Sequence, residues 1–158
     1  MELTSPAFKN GETIPKKHTG EAEDVSPELD WSGAPAETKA FAVVMDDPDA
    51  PPGAWIHWVI YDIPAAATKL AESTAKAPEL PDGSRQGACW GVEGKIEFER
   101  VGYHGPLPPP GKPHHYSFRL YALDAPTGLA AKATKAQLEK AMKKHLLAKA
   151  ELIGLYQR

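Results

Sequence analysis

Three runs in the middle of the chain have strand-like lengths and patterns. Lys39 to Asp47, Trp55 to Ile63 and His114 to Leu123 carry apolar residues on both alternating faces, as strands covered on two sides do. Residues 1–38 are turn-rich, broken at Ser26-Pro27 and Gly33 to Pro35, with Trp31 as an anchor to the core. Residues 64–90 read as a long connection with at most a short helical piece, and residues 91–101 as holding a short strand around Ile96 and Phe98. The run GYHGPLPPPGKP, residues 102–113, is a stiff loop, because proline lacks the amide proton a helix needs. A helix fits Lys135 to Lys149, with Thr134 as N-cap and Gln137 three residues on, as in a capping box. Leu138, Met142 and His145 or Leu146 form its buried stripe, and Glu151 to Arg158 form a last short strand. Strands dominate the centre and helix is C-terminal, so the expected fold is mainly β: an antiparallel sheet with peripheral helix, in one domain over 1–158.

Alternation also says which polar groups meet. Side chains switch faces at every residue of a strand. In the first strand Asp47 shares a face with Phe41, Val43 and Met45. In the second, His57 shares one with Trp55, Val59 and Ile63. In the third, His114 and Tyr116 share one with Phe118 and Leu120, while His115 points the other way with Ser117 and Arg119. Convergence of these faces predicts a small pocket of Asp47, His57, His114 and Tyr116 at the rim of the core. Imidazole N–H and phenol O–H are donors, and an unpaired buried donor is costly. The pocket therefore calls for an acceptor such as phosphate, sulfate or carboxylate. Asp47 would orient a histidine by accepting its other N–H. Pro48 and Pro51 in DDPDAP would keep Asp47 from swinging away, and the 106–113 loop would form a wall.

Composition narrows the classes. A length of 158 residues allows a useful core. The 16 prolines and 13 glycines cluster between apolar runs, which indicates rigid loops rather than disorder. A formal charge of −3 argues against a nucleic-acid binder, which shows a basic excess. Cys89 is the one cysteine, so no intramolecular disulfide can form, in keeping with a reducing compartment. The first twenty residues lack the apolar stretch of a secretory signal, and the longest apolar run, Ala40 to Met45, is too short to cross a bilayer. The expectation is a cytoplasmic protein without a transmembrane segment.

DDPDAP, WIHW and GYHGPLPPPGKPHHY, taken in this order, closely resemble the phosphatidylethanolamine-binding protein (PEBP) family, and best its bacterial Raf kinase inhibitor-like (YbhB/YbcL-type) branch. The resemblance extends over nearly the whole chain, from IPKKHTGEAEDVSPELDW to ATKAQLEKAMKKHLLAKAELIGLYQR. It implies a central antiparallel sheet, a second smaller sheet and a C-terminal helix near the site. It also implies an anion pocket for phosphate-like groups, phospholipid head groups and phosphorylethanolamine included. By the same resemblance the pocket residues are Asp47, His57 with Trp55 beside it, His114 and Tyr116. Pro109 and Pro110 would lie in its wall, and Tyr156 would close it. Kinase-inhibitor relatives imply a protein partner, and bacterial ones a homodimer, though no stripe of the sequence marks an interface.

The chain departs from the family pattern in places. His115 stands where Arg is usual, which removes a permanent cation. His18, Gly20 and Leu107 stand where relatives carry Tyr, Cys and Cys, and His104 is an extra titratable group. Asp49 is expected to hold its loop through backbone hydrogen bonds. Trp58 and Trp90 read as packing residues. His57, His114 and His115 are ligand types for a metal, but no H-x-H or H-E-x-x-H spacing occurs. No metal or other cofactor is expected. An Asp–His pair beside a phosphate also resembles acid–base equipment, so a weak hydrolase of phosphate or carboxylic esters is the alternative to a binding protein. No G-x-S-x-G or P-loop supports it.

Overall fold

The computed structural model describes the backbone of all 158 residues and every side chain except those of residues 97–99. The strands are β1 (Glu2–Thr4), β2 (Leu29–Ser32), β3 (Ala40–Asp47), β4 (Trp55–Pro64), β5 (Lys69–Leu70), β6 (Arg85–Gln86), β7 (Ala88–Cys89), β8 (Glu97–Val101), β9 (His114–Leu123) and β10 (Leu146–Tyr156). One α-helix, α1 (Lys135–Met142), and a 3₁₀ turn at Lys16–His18 complete the order. The central sheet runs β10-β9-β3-β4-β6, a smaller one β1-β2-β5, and β7 pairs with β8. Each of these strand pairings is antiparallel. The mainly β fold with a second smaller sheet and a C-terminal helix is as the pattern and the resemblance indicated.

Strands β3, β4 and β9 are apolar on both faces because both faces are covered. Phe41, Val43, Met45, Trp58, Ile60, Phe118 and Leu120 pack toward Leu3, Leu29, Trp31 and Leu70 of the small sheet. Ala42, Val44, Ile56, Val59 and Tyr61 pack toward Cys89, Leu138 and Met142. Trp31 is the expected anchor: its ring lies 5.3 Å from that of Phe41, and its indole N–H donates to the Ala67 carbonyl.

Strict alternation fails in β4. Met45 faces Trp58 while Asp46 faces Ile56, so His57 is an extra residue in the ladder. A second irregularity lies between the pairs Val43–Ile60 and Phe41–Ile63, where Asp62 takes a φ of 54°. Bulges of this kind re-aim side chains. Val59 consequently packs on the face opposite Ile63, and His57 and Trp58 both turn toward the small-sheet side, unlike the expected grouping of His57 with Val59.

The C-terminal region also differs from expectation. The Thr134–Gln137 capping box forms, and Leu138 and Met142 are buried. The helix, however, stops at Met142 rather than Lys149, and Leu146 is exposed. The last strand expected over Glu151 to Arg158 is present but longer, running over Leu146–Tyr156 as β10 along β9. The backbone groups along that side of β9 need partners, and satisfying them outweighs the helix propensity of LLAKAEL. Residues 64–90 hold three two-residue strands in place of a helical piece. The expected strand near Phe98 is present as β8, and the Phe98 side chain lies outside the described residues.

Candidate functional site

Antiparallel pairing on both sides of β3 sets the location. The C-terminal end of β3 meets the N-terminal ends of β4 and β9: Asp47 is opposite Trp55, and Asp46 is opposite Ser117. Three polar strand ends therefore meet at one end of the sheet's inner strands. They open onto a cavity of ≈ 210 Å³. Asp47, His57, His114 and Tyr116 line it, with Trp55, Trp90, Leu107, Pro108 and Pro109 among its apolar walls and Ala50, Pro51 and Pro52 from the β3–β4 loop.

Each polar side chain is held by a specific contact. Nδ1 of His114 lies 2.6 Å from Oδ2 of Asp47, and the carboxylate can only accept, so the ring donates. The other oxygen, Oδ1, accepts the Asp49 backbone N–H at 2.8 Å. Asp47 is almost fully buried, at 3 % exposure. Asp49 ties its loop to β9: one of its oxygens accepts both the His115 backbone N–H and His115 Nδ1–H, each at 2.7 Å. Those bonds hold the Asp49 carboxyl below its usual pKa. His115 itself is exposed and turned away from the cavity, as alternation required.

His57 is oriented by backbone rather than by Asp47. Its Nδ1–H donates to the His104 carbonyl at 2.6 Å, and the His104 N–H returns a bond to the His57 carbonyl. Gly105, next in the chain, lets this loop pack against the backbone of His18. A Cβ there would lie 2.1 Å from the His18 carbonyl oxygen, and the Gly105 N–H donates to Asp24. Burial lowers the His57 pKa to about 4, only partly offset by the His104 carbonyl and the Asp47 charge. The ring is neutral at pH 7, and with Nδ1 protonated its Nε2 keeps a lone pair. His57 therefore offers a guest an acceptor, in place of the donor expected from the sequence.

Tyr116 supplies the donor. It is fully buried, and its hydroxyl makes no hydrogen bond to any described residue. Burial, then the nearby Asp47 carboxylate, pushes its pKa well up, so the proton stays on. Its ring meets that of His57 edge-on at 5.3 Å.

Among the other residues singled out from the sequence, Trp55 and Pro109 line the cavity, whereas Pro110 does not; Pro108 takes that place. Tyr156 pairs with His114 across the strands, and its hydroxyl donates to Glu21, so it stands beside the site rather than in the cavity wall. Trp90 is a wall residue, although the sequence suggested packing alone. It holds a φ of 71°, a conformation that costs an L-residue about 1–2 kcal/mol. Its ring meets Trp55 and His57 edge-on at 5.7 and 5.5 Å. No sequence signal marked Trp90 as wall, because what places it there is the contact of its ring with Trp55 and His57. Among the described residues, no group of three His, Cys, Asp or Glu side chains is arranged to hold a metal ion.

Fold and site together define a mainly antiparallel β protein with a polar-floored, apolar-walled cavity at one end of the inner strands of its central sheet. The chain belongs to the phosphatidylethanolamine-binding protein family, whose model matches residues 4–157. A UPF0098 protein of Methanothermobacter thermautotrophicus is 45% identical over 158 residues, covering 100% of this chain and 99% of that one. The crystal structure of E. coli YbcL, a member of the mammalian PEBP family, superposes with a TM-score of 0.85 at 34% identity, covering 99% of this chain and 98% of that one. The PEBP homologue CT736 of Chlamydia trachomatis gives a TM-score of 0.82 at 36% identity, over 99% and 97% of the two chains.

Proposed function

We propose that the cavity binds the phosphate-like or carboxylate group of a small ligand, carried by a phospholipid head group or another phosphorylated molecule. The observation that carries this reading is the Tyr116 hydroxyl: it is buried on a cavity-lining residue and, although the Asp47 carboxylate is near, makes no well-formed hydrogen bond to any described residue. Leaving such a donor unsatisfied costs about 1–3 kcal/mol, and an oxygen of the guest would remove that penalty. His114, braced on Asp47, adds a second N–H at Nε2 when its ring is protonated. The apolar walls suit a ligand with an apolar body.

The output we propose is regulation of a kinase or protease partner, from a cytoplasmic location. Among the described residues, no helix is long and apolar enough to cross a membrane.

A second reading, weak hydrolysis of phosphate or carboxylic esters, is favoured by the Asp47–His114 hydrogen bond, an arrangement suited to a general base. Binding remains preferred, because the described lining residues include no Ser, Thr, Cys or Lys nucleophile. The nearby Ser117 hydroxyl donates to Glu151 on the other face.

Calorimetry with inorganic phosphate, O-phosphorylethanolamine and acetate at pH 7 tests the reading. Saturable heat is expected with at least one of them, and no heat with any would overturn it. Ester turnover that disappears in Asp47→Asn would instead promote the hydrolase.

A further inference from the structure

Building on the anion-binding reading, we infer that the cavity selects its guest in a protonated form: a phosphomonoester monoanion, bearing one P–OH, in preference to a dianion or a diester. The donor and acceptor inventory of the site carries this. A phosphate dianion offers only acceptors, and it binds best where donors and positive charge surround it. Here the described lining residues include no Lys and no Arg. They do include the Asp47 carboxylate, and the positive charge that His114 can carry is already matched by that carboxylate at 2.6 Å. A second negative charge on the guest would therefore face Asp47 uncompensated.

The polar atoms left for a guest are mixed. Tyr116 offers an O–H and His114 an N–H in its charged form. His57 offers Nε2 as an acceptor, because its Nδ1–H is committed to the His104 carbonyl and the residue lines the cavity. A guest with one O–H and at least one unprotonated oxygen satisfies all three. A diester has no O–H to give His57, and a dianion has none either.

The other charged groups around the site do not reverse the balance. Asp24, which receives the Gly105 N–H, and His104 flank His57 from the loop side. Asp49 approaches from the β3–β4 loop and is bound to His115. Arg158 reaches the wall from the C-terminus by donating to the Pro108 carbonyl. Arg100 lies over the Trp90 ring, 4.9 Å from its centre. Glu21 is held by Tyr156. Neither arginine lines the cavity.

Calorimetry on the full chain with methyl phosphate, dimethyl phosphate and sulfate tests the inference. A phosphomonoester loses its second proton near pH 6, so binding of the monoanion alone makes apparent affinity fall about 50-fold from pH 6 to pH 8. Dimethyl phosphate has no such proton, so its pH profile reports the protein groups alone, and the expected 50-fold change is in the ratio of the two. At pH 8, methyl phosphate binding is expected to take up close to one proton per site, read from heats in two buffers of different ionisation enthalpy. Sulfate is expected to bind at least about tenfold more weakly than methyl phosphate at pH 6.

A pH-independent ratio with no proton uptake overturns the inference while leaving anion binding intact. So does sulfate or dimethyl phosphate binding as tightly as methyl phosphate at pH 6. Failure of every ligand strikes the anion reading itself. Glycerol 3-phosphate and dioctanoyl phosphatidate, both monoesters, separate a soluble source from a lipid one. Each supports the inference if it binds with the same pH profile, and a flat profile for both overturns it.

Discussion

Asp47 holds His114 and its own turn at once: one carboxylate oxygen receives the His114 Nδ1–H, and the other receives the Asp49 N–H. A side chain buried between two donors has no freedom to follow a guest. The wall it supports is also stiff, because Pro51 and Pro52 follow in the same loop. A pre-set cavity loses little conformational entropy on binding.

Asp47→Ala removes both bonds and releases the His114 ring. Phosphate affinity is expected to fall by about tenfold or more, since a charge-assisted hydrogen bond contributes roughly 1.5–3 kcal/mol. Titration calorimetry measures the loss. Unchanged affinity would show that His114 needs no brace.

Tyr116→Phe is expected to move stability and binding in opposite directions. Loss of an unpaired buried hydroxyl raises unfolding stability by about 1 kcal/mol, while removal of the donor weakens phosphate binding by about tenfold. Urea unfolding and calorimetry on the same protein give the two numbers. A destabilised variant would mean that the hydroxyl has a partner in solution.

His57 makes the fold acid-sensitive. The unfolded chain takes up the proton near the ordinary value of 6.5, whereas the folded chain keeps the ring neutral down to about 4. Acid therefore favours the unfolded state as pH drops through that window, and the stability present above pH 6.5 is progressively lost. The contribution is on the order of 3 kcal/mol across the window. Urea unfolding at pH 7 and pH 4.5 should show a smaller acid loss in His57→Gln than in the parent. Equal losses would assign the sensitivity to other groups.

Asp49 and His115 should separate. His115→Ala keeps the backbone N–H that Asp49 accepts, and the lost ring lies outside the cavity. Phosphate affinity is expected to stay within about twofold, as for surface changes distant from a site. Asp49→Ala frees the loop carrying Ala50, Pro51 and Pro52, and affinity should drop several-fold. Equal effects from the two changes would mean that the His115 ring itself supports the cavity.

Much of the architecture could be read from local pattern. The boundaries of β3, β4 and β9 match the apolar runs to within one residue, because strands buried on both faces leave an unbroken apolar signal. The Thr134 cap was equally visible, since its donor and acceptor lie three residues apart. The strand expected from Glu151 onward is there, but residues 146–149 were misleading: their composition favours helix, and the open side of β9 dictates that the strand already begins at Leu146. No local window contains that information.

The chain by itself determined which polar groups stand at strand ends, and therefore that Asp47, His114 and Tyr116 share a face with the core. It also showed that His115 does not. Tertiary structure decided what those groups do. The bulge at His57 turned that ring to the cavity, and the His104 carbonyl, 47 residues away, made it an acceptor. Pro108 rather than Pro110 became wall, and Trp90 joined it in a strained conformation. Alternation along a strand is a local steric rule. Register, hydrogen-bond direction and protonation depend on groups that only folding brings together.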